Sequence, residues 1–191
     1  MMPQRLQREE YLKKLIAFQD KNIIKIITGI RRCGKSTLME IFQDHLRSTG
    51  VENSQILHIN FEDFDYRPLR DPAALHSYIT ERMARDRMTY VFLDEIQHVP
   101  DWQDVVDSLH LRKNLDIYIT GSNAYLLSSE IATLISGRYV EIKMLPLSFR
   151  EFVSATGGEA NLPKAYRQYV ESSSFPYALA LLDHPKELRD Y

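Results

Sequence analysis

A glycine-rich loop between an apolar strand and a helix constrains the fold of this chain more than any other feature. The eight residues Gly29-Ile30-Arg31-Arg32-Cys33-Gly34-Lys35-Ser36 fit the pattern G-x-x-x-x-G-K-[ST]. The apolar run 23–27 precedes them, and the helical segment 38–42 follows. Glycines let backbone N–H groups close around an anion, and the N-terminal end of the next helix adds a favourable dipole. The sequence therefore predicts a strand, loop and helix around a nucleotide phosphate.

The loop supplies the predicted nucleotide contacts. Lys35 is expected to reach the β- and γ-phosphates, and Ser36 to ligate Mg²⁺. Cys33 lies beside Lys35 among the same N–H donors, which favours a thiolate and a redox-sensitive loop; the alternative is a small residue that fits. Arg31 and Arg32 are expected to point out of the loop and add positive potential. The predicted nucleotide-binding set is Gly29, Ile30, Arg31, Arg32, Cys33, Gly34, Lys35, Ser36 and Thr37.

Composition narrows the class of protein. The 191 residues are 44% hydrophobic and 26% charged, as expected for one globular domain with a possible appendage. Lys and Arg number 24, and Asp and Glu number 26, which gives a net charge of −2. The chain therefore lacks the global basic field that is typical of nucleic-acid-binding proteins, although this composition still allows a local basic patch. The single cysteine excludes an intrachain disulfide, and the sequence shows no signal peptide and no long apolar stretch. We expect a cytoplasmic protein without a membrane segment.

Alternating strand and helix patterns predict a parallel sheet. Further strands are predicted at 56–61, 90–93, 117–120 and 139–144, and this spacing implies βαβ units with helices on both faces. Helices are predicted at 4–18, from the loop to 47, at 72–87, after the N-cap Asp101, at 126–134, and in short segments at 149–155, 164–170 and 177–182. We expect an N-terminal helix in 1–20, an α/β core in 21–146 and a truncated helical lid in 147–191.

Acidic residues follow the third predicted strand. Ligand sites in open α/β sheets lie beyond the carboxyl ends of the strands, and Asp94 and Glu95 follow the apolar run 90–93. Asp94 is placed to hold Mg²⁺, and Glu95 to accept a proton from an attacking water. A helix cap or a surface salt bridge is the alternative for this pair.

Other strand ends carry further candidates. Ser122 and Asn123 follow the fourth strand and could bond a γ-phosphate and the attacking water, or form a turn. Asn60 could restrain Glu95 through a side-chain hydrogen bond, or form a turn. Arg138 is the first choice for the cation that stabilises the developing charge, in cis or from a neighbouring subunit, with a surface arginine as the alternative.

Four motifs together identify a family. The loop is followed by Phe-Leu-Asp-Glu-Ile-Gln, Ile-Thr-Gly-Ser-Asn, and Ser-Gly-Arg before Leu-Pro-Leu-Ser-Phe-Arg-Glu-Phe. In this order they resemble the bacterial and archaeal AAA-superfamily ATPases whose full-length members carry a C-terminal domain of unknown function. The resemblance implies an α/β P-loop NTPase fold: a three-layer αβα sandwich with five parallel strands in the order 5-1-4-3-2 and a small helical lid. It also implies Mg-ATP hydrolysis with a glutamate next to the Walker B aspartate. The lid reads Ser173-Ser174-Phe175-Pro176-Tyr177, where the family usually has Gly-Gly-Phe-Pro-Glu.

Three classes of function follow from these patterns. The leading expectation is an ATPase that uses ATP and Mg²⁺, couples nucleotide state to an unknown protein or nucleic-acid partner, and forms a possible homo-oligomer. The second is an ATP-gated interaction protein with little turnover. The third is a small-molecule P-loop kinase, which needs an arginine-rich lid, whereas residues 149–182 contain only Arg150 and Arg167.

Overall fold

Five parallel strands form the centre of the fold. The computed structural model describes residues 6–121, 137–182, 184, 186 and 188. The strands are β1 (Ile24–Gly29), β2 (Ile56–Asn60), β3 (Thr89–Asp94), β4 (Leu115–Gly121) and β5 (Tyr139–Met144). The described helices are α1 (Glu9–Phe18), α2 (Lys35–Ser48), α3 (Pro72–Arg82), α4 (Trp102–His110), α5 (Phe149–Thr156) and α6 (Leu162–Glu171).

The strand order is β2-β3-β4-β1-β5, and all four pairings are parallel. In register, Ile27 of β1 lies between Thr120 of β4 and Ile142 of β5. The predicted order 5-1-4-3-2 is therefore confirmed. Because β1 is next to β4, the loop that follows β1 leaves the sheet beside the carboxyl ends of β4 and β3.

Each face of the sheet buries its own apolar cluster. Successive side chains of a strand point to opposite faces, so Ile26 of β1 packs with α3 and α4, whereas Ile27 packs with α1 and α2. Trp102 and Val106 of α4 belong to the first cluster, and Phe42 of α2 belongs to the second. Three layers result, with the sheet buried between two helical layers, as the near-continuous apolar runs of the inner strands predict.

Several helix ends differ from the prediction. Helix α1 begins at Glu9 rather than at residue 4, because Arg8 has left-handed backbone angles, with φ 48°. Helix α3 ends at Arg82 rather than at 87, and the Ala84 N–H then donates to Thr89 Oγ1 at 2.9 Å. Asp101 precedes α4 as predicted, but its side chain makes no capping hydrogen bond. The helix predicted at 126–134 lies outside the described residues.

The segment after β5 forms a small helical unit. A capping box opens α5, in which Glu151 Oε2 accepts from the Ser148 N–H at 2.8 Å and Ser148 Oγ accepts from the Glu151 N–H at 3.3 Å. Helix α6 follows, and the short helical segment predicted at 177–182 is the 3-10 helix Pro176–Leu181. Every helix in the described ranges is too short or too polar to cross a bilayer.

Candidate functional site

The glycine-rich loop is packed tightly against the end of β5. A Cβ atom added to Gly29 would lie 2.5 Å from the Met144 carbonyl oxygen and 2.7 Å from Cys33 Sγ, so only glycine fits there. Gly34 precedes α2 with φ 101°, a left-handed conformation that favours glycine. The motif's two glycines are thus required for different physical reasons.

Lys35 is folded back onto this loop. Its side chain is 4% exposed, and Nζ donates to the carbonyl oxygens of Gly29 at 3.2 Å and Ile30 at 3.5 Å. The same Nζ lies 3.7 Å from Glu95 Oε1, which forms an ion pair longer than a hydrogen bond. The ammonium therefore lies between the loop and the acidic end of β3.

The remaining loop side chains differ in their exposure to solvent. Ser36 is partly buried in the first turn of α2, whereas Thr37 and Ile30 are exposed. Arg31 points outward and pairs with Glu62 at 3.3 Å, and Arg32 is exposed. Ion pairs at such exposure contribute little to stability.

Asp94 is buried with one oxygen free. Thr120 Oγ1 donates to Asp94 Oδ1 and accepts from the Glu95 N–H at 3.0 Å. Asp94 Oδ2 is buried and has no hydrogen-bond partner within the described part of the chain. A buried carboxylate oxygen with no partner is the hard donor that Mg²⁺ prefers, so the residues present fit this metal. Thr120 is the threonine of the motif Ile-Thr-Gly-Ser-Asn, and sequence reasoning missed its contact with Asp94.

Glu95 is held in an unusual conformation. Its backbone is left-handed, with φ 56°, a strained geometry that is common at functional sites. Its Oε2 accepts a hydrogen bond from Gln97 Nε2 at 2.5 Å, and the side chain is only 16% exposed. Sequence reasoning missed Gln97, although it stands two residues after Glu95 in the quoted motif.

Asn60 lies next to Asp94 in the sheet register. Its Oδ1 accepts from the Glu62 N–H at 2.9 Å, which is the turn-forming alternative. The predicted hydrogen bond from Asn60 to Glu95 does not occur among the contacts of the described residues, where Lys35 and Gln97 contact that carboxylate instead.

Arg138 lies at the amino-terminal end of the strands, whereas the loop lies at their carboxyl end. The Arg138 carbonyl accepts from the Ile24 N–H, and its guanidinium pairs with Asp107 of α4. Gly29 lies five residue steps along β1 from Ile24, which is roughly 16 Å at the usual strand rise. The predicted cis contact with a phosphate in the loop is therefore wrong; a contact to a neighbouring subunit stays a prediction. Ser122 and Asn123 lie outside the described residues.

The reactive-thiol hypothesis for Cys33 is also wrong. The side chain is fully buried, and this burial raises the pKa of the Cys33 thiol even though Lys35 and Arg8 act in the other direction. Burial destabilises the Cys33 thiolate by more than the positive charges of Lys35 and Arg8 stabilise it. Cys33 is a small apolar packing residue of the loop.

Arg8 connects this loop to the segment after β5, and sequence reasoning gave it no role. Its guanidinium donates to the carbonyl oxygens of Cys33 at 3.2 Å and Leu145 at 2.6 Å. Its Nε lies 2.7 Å from Glu151 Oε1 at the start of α5. The residue is only 5% exposed, although it carries a full charge.

The parallel sheet, its strand order and the glycine loop after β1 define the P-loop NTPase class of fold. An AMPPCP-bound DnaA from Aquifex aeolicus superposes with a TM-score of 0.60 at 12% identity, over 97% of this chain and 62% of that chain. Identity this low shows the shared fold alone.

The chain belongs to the AAA domain family, whose model matches residues 21–153. An uncharacterized protein of Haemophilus influenzae is 44% identical over 94% of this chain. The uncharacterized protein MJ1544 of Methanocaldococcus jannaschii is 33% identical over 85% of this chain. The alignments cover 46% and 37% of the lengths of these two relatives, so the chain spans less than half of each.

Proposed function

We propose that this chain binds ATP through the glycine-rich loop and, with Mg²⁺, hydrolyses the β–γ phosphoanhydride bond. One observation carries the proposal: Lys35 Nζ lies 3.7 Å from Glu95 Oε1, and the adjacent Asp94 keeps a buried, unpartnered oxygen. A phosphate-binding amine, a metal-type acceptor and a candidate base thus come together from α2 and the end of β3. Phosphoryl transfer needs little more than such positioning and charge.

The glycine-rich loop would bind the nucleotide. Its backbone N–H groups and Lys35 would bind the phosphates, while Ser36 and Asp94 would hold Mg²⁺. Bound Mg-ATP would supply the electrophilic phosphorus, with its negative charge partly neutralised by the metal. Binding removes Lys35 from its carbonyl partners, because a triphosphate is a stronger acceptor than a neutral carbonyl oxygen.

Glu95 would act as the general base of hydrolysis and accept the proton of the attacking water. Ser122 and Asn123 are proposed to contact the γ-phosphate and this water.

A stabilising arginine would come from another subunit. Arg138 is half-exposed and lies far from the loop of its own chain, so its catalytic contact would require a homo-oligomer. We propose a cytoplasmic protein whose nucleotide state acts on an unknown protein or nucleic-acid partner.

A second candidate is an ATP-gated switch with little turnover. Both oxygens of Glu95 have protein partners, Lys35 and Gln97, which is the arrangement expected of a resting site. The two candidates differ in phosphate release alone.

The experiment is phosphate release from Mg-ATP by wild type and by Glu95→Gln, with nucleotide affinity measured on both. We expect Glu95→Gln to bind ATP within about threefold of wild type and to lower kcat by about 100-fold or more, because a general base contributes about that much. Glu62→Gln is the matched control, since this exposed acid lies beside the loop and pairs only with Arg31 in the described contacts. Binding without turnover in the wild type would favour the switch.

A further inference from the structure

The Glu95 side chain is contacted at both of its oxygens. Lys35 Nζ approaches Oε1 at 3.7 Å, and Gln97 Nε2 donates to Oε2 at 2.5 Å. The backbone is fixed as well, because the Glu95 N–H donates to Thr120 Oγ1. The two side-chain contacts differ in length by more than an ångström, so they differ in strength.

We propose that Gln97 is a positioning residue for Glu95, an inference that rests on the function proposed above. Gln97 holds Oε2, so that Oε1 is presented to the attacking water once Lys35 has moved to the phosphates. When nucleotide binds, the Glu95 carboxylate thus loses its contact with Lys35 and keeps its hydrogen bond from Gln97.

The structure explains why Lys35 is the contact that changes. Its two hydrogen bonds go to the neutral carbonyl oxygens of Gly29 and Ile30, and its approach to Glu95 is beyond hydrogen-bond distance. Gln97 lies two residues from Glu95 in the short 3-10 helix Ile96–His98, so its contact requires no other element to stay in place. A local contact survives a rearrangement of the loop.

The same amide carries a second, independent signal. Gln97 Oε1 is buried and has no hydrogen-bond partner in the described ranges. Buried amide oxygens are normally satisfied. In the described residues the Gln97 side chain makes its hydrogen bond to Glu95 alone, so that contact sets the orientation of the amide.

The contacts of the two amides also show why Gln97, and not Asn60, holds the Glu95 carboxylate. Asn60 Oδ1 already accepts from the Glu62 N–H, whereas the Gln97 amide is directed at the carboxylate. Gln97 and Glu95 belong to one turn, which is why the hydrogen bond forms without a second strand.

The first test compares Gln97→Met with wild type and Gln43→Met. Methionine keeps the length of the side chain and removes both polar groups. We expect Gln97→Met to lower the single-turnover rate of phosphate cleavage by about 10- to 100-fold, because a small misplacement costs about this much, and to keep the ATP Kd within about twofold. Gln43 is a matched control, since its buried amide contacts His58 Nδ1 at 3.2 Å, away from Glu95. A rate equal to or above that of wild type would overturn the proposal.

A double variant separates positioning from general structural damage. In the Glu95→Gln background, Gln97→Met should cause no further loss of rate, because the carboxylate that Gln97 orients is already absent. Multiplicative losses in the double variant would show that Gln97 acts on the fold instead.

A measurement without turnover completes the test. The signal of the Gln97 side-chain amide can be assigned in ¹⁵N-correlated NMR spectra, because it is absent from the spectrum of Gln97→Met. We expect this signal to shift in Glu95→Gln. In the wild type, we expect the amide to stay hydrogen-bonded when Mg²⁺ and a non-hydrolysable ATP analogue are added. Release of the signal on nucleotide binding would make Gln97 a restraint and overturn the proposal. If wild type itself releases no phosphate, the proposed function fails, and these spectra still decide whether Gln97 holds Glu95.

Discussion

At the level of single residues, Cys33 shows how burial outweighs neighbouring charge. The thiol lies near the cations of Lys35 and Arg8, and both favour the thiolate. The side chain is nevertheless completely enclosed, and desolvation raises the pKa of the Cys33 thiol. A thiol in this state reacts slowly, because the thiolate is the nucleophile.

We expect iodoacetamide to alkylate Cys33 much more slowly in the folded chain than in urea, at pH 8. Mg-ATP should not change the folded-state rate, since the thiol is excluded from solvent with or without a ligand. Mass spectrometry of the Cys33 peptide measures both rates. Rapid labelling of the folded chain that Mg-ATP suppresses would restore the redox-sensitive loop.

At the level of elements, Arg8 joins three parts of the chain that are far apart in sequence. Its guanidinium contacts the loop at Cys33, the exit of β5 at Leu145 and the start of α5 at Glu151. The left-handed backbone at Arg8 marks the start of α1, and the Arg8 side chain is buried. One buried side chain therefore links α5 to the glycine-rich loop.

Arg8→Met should lower the free energy of unfolding by about 2–4 kcal/mol, because it leaves two carbonyls and a partly buried carboxylate without their donor. Lys13→Met is the control: its ammonium pairs with Glu9 at 3.4 Å on the exposed face of α1, and its loss should cost about 0.5 kcal/mol or less. Urea unfolding of the three proteins measures both values. Equal stability of the two variants would contradict the bridging role of Arg8.

At the level of the whole molecule, a buried ion pair joins β1 to β4 on the α1/α2 face of the sheet. Lys25 and Asp116 are paired with side chains at most 1% exposed. Tyr118 donates to the same carboxylate at 2.9 Å, and the Asp20 N–H donates to it at 2.9 Å. Burial lowers the pKa of the Lys25 ammonium, and the Asp116 carboxylate opposes that shift. This network ties the turn after α1 to the centre of the sheet.

Asp116→Asn should destabilise the chain by about 3–5 kcal/mol at pH 7, because a buried ammonium is left without its anion. Burial then lowers the pKa of Lys25 further, because Asp116 no longer opposes it. The native variant therefore binds fewer protons than the unfolded chain. Its stability should rise with pH between the lowered pKa and the ordinary value of about 10.4.

The control is Asp107→Asn, which breaks the exposed pair with Arg138. It should cost less than about 1 kcal/mol, with no added pH dependence. Urea unfolding at pH 6, 7.5 and 9 tests both variants. A flat profile for Asp116→Asn would show that Lys25 stays protonated in the folded variant, as it is in the unfolded chain.

The sequence by itself determined the glycine-rich loop between a strand and a helix, the parallel sheet, and the positions of Asp94 and Glu95 at a strand end. These features depend on local pattern: glycine spacing, apolar periodicity and the rule that parallel strands end at one edge. Even the strand order followed from the family resemblance, and the pairing confirms it.

Only the tertiary structure decided which side chains meet. Gln97 rather than Asn60 holds Glu95, Arg138 lies at the wrong edge for a contact in its own chain, and Arg8 reaches the loop from outside the motif. Each outcome depends on distances and burial among elements remote in sequence. Those quantities set hydrogen-bond partners and pKa shifts, and no local pattern of residues encodes them.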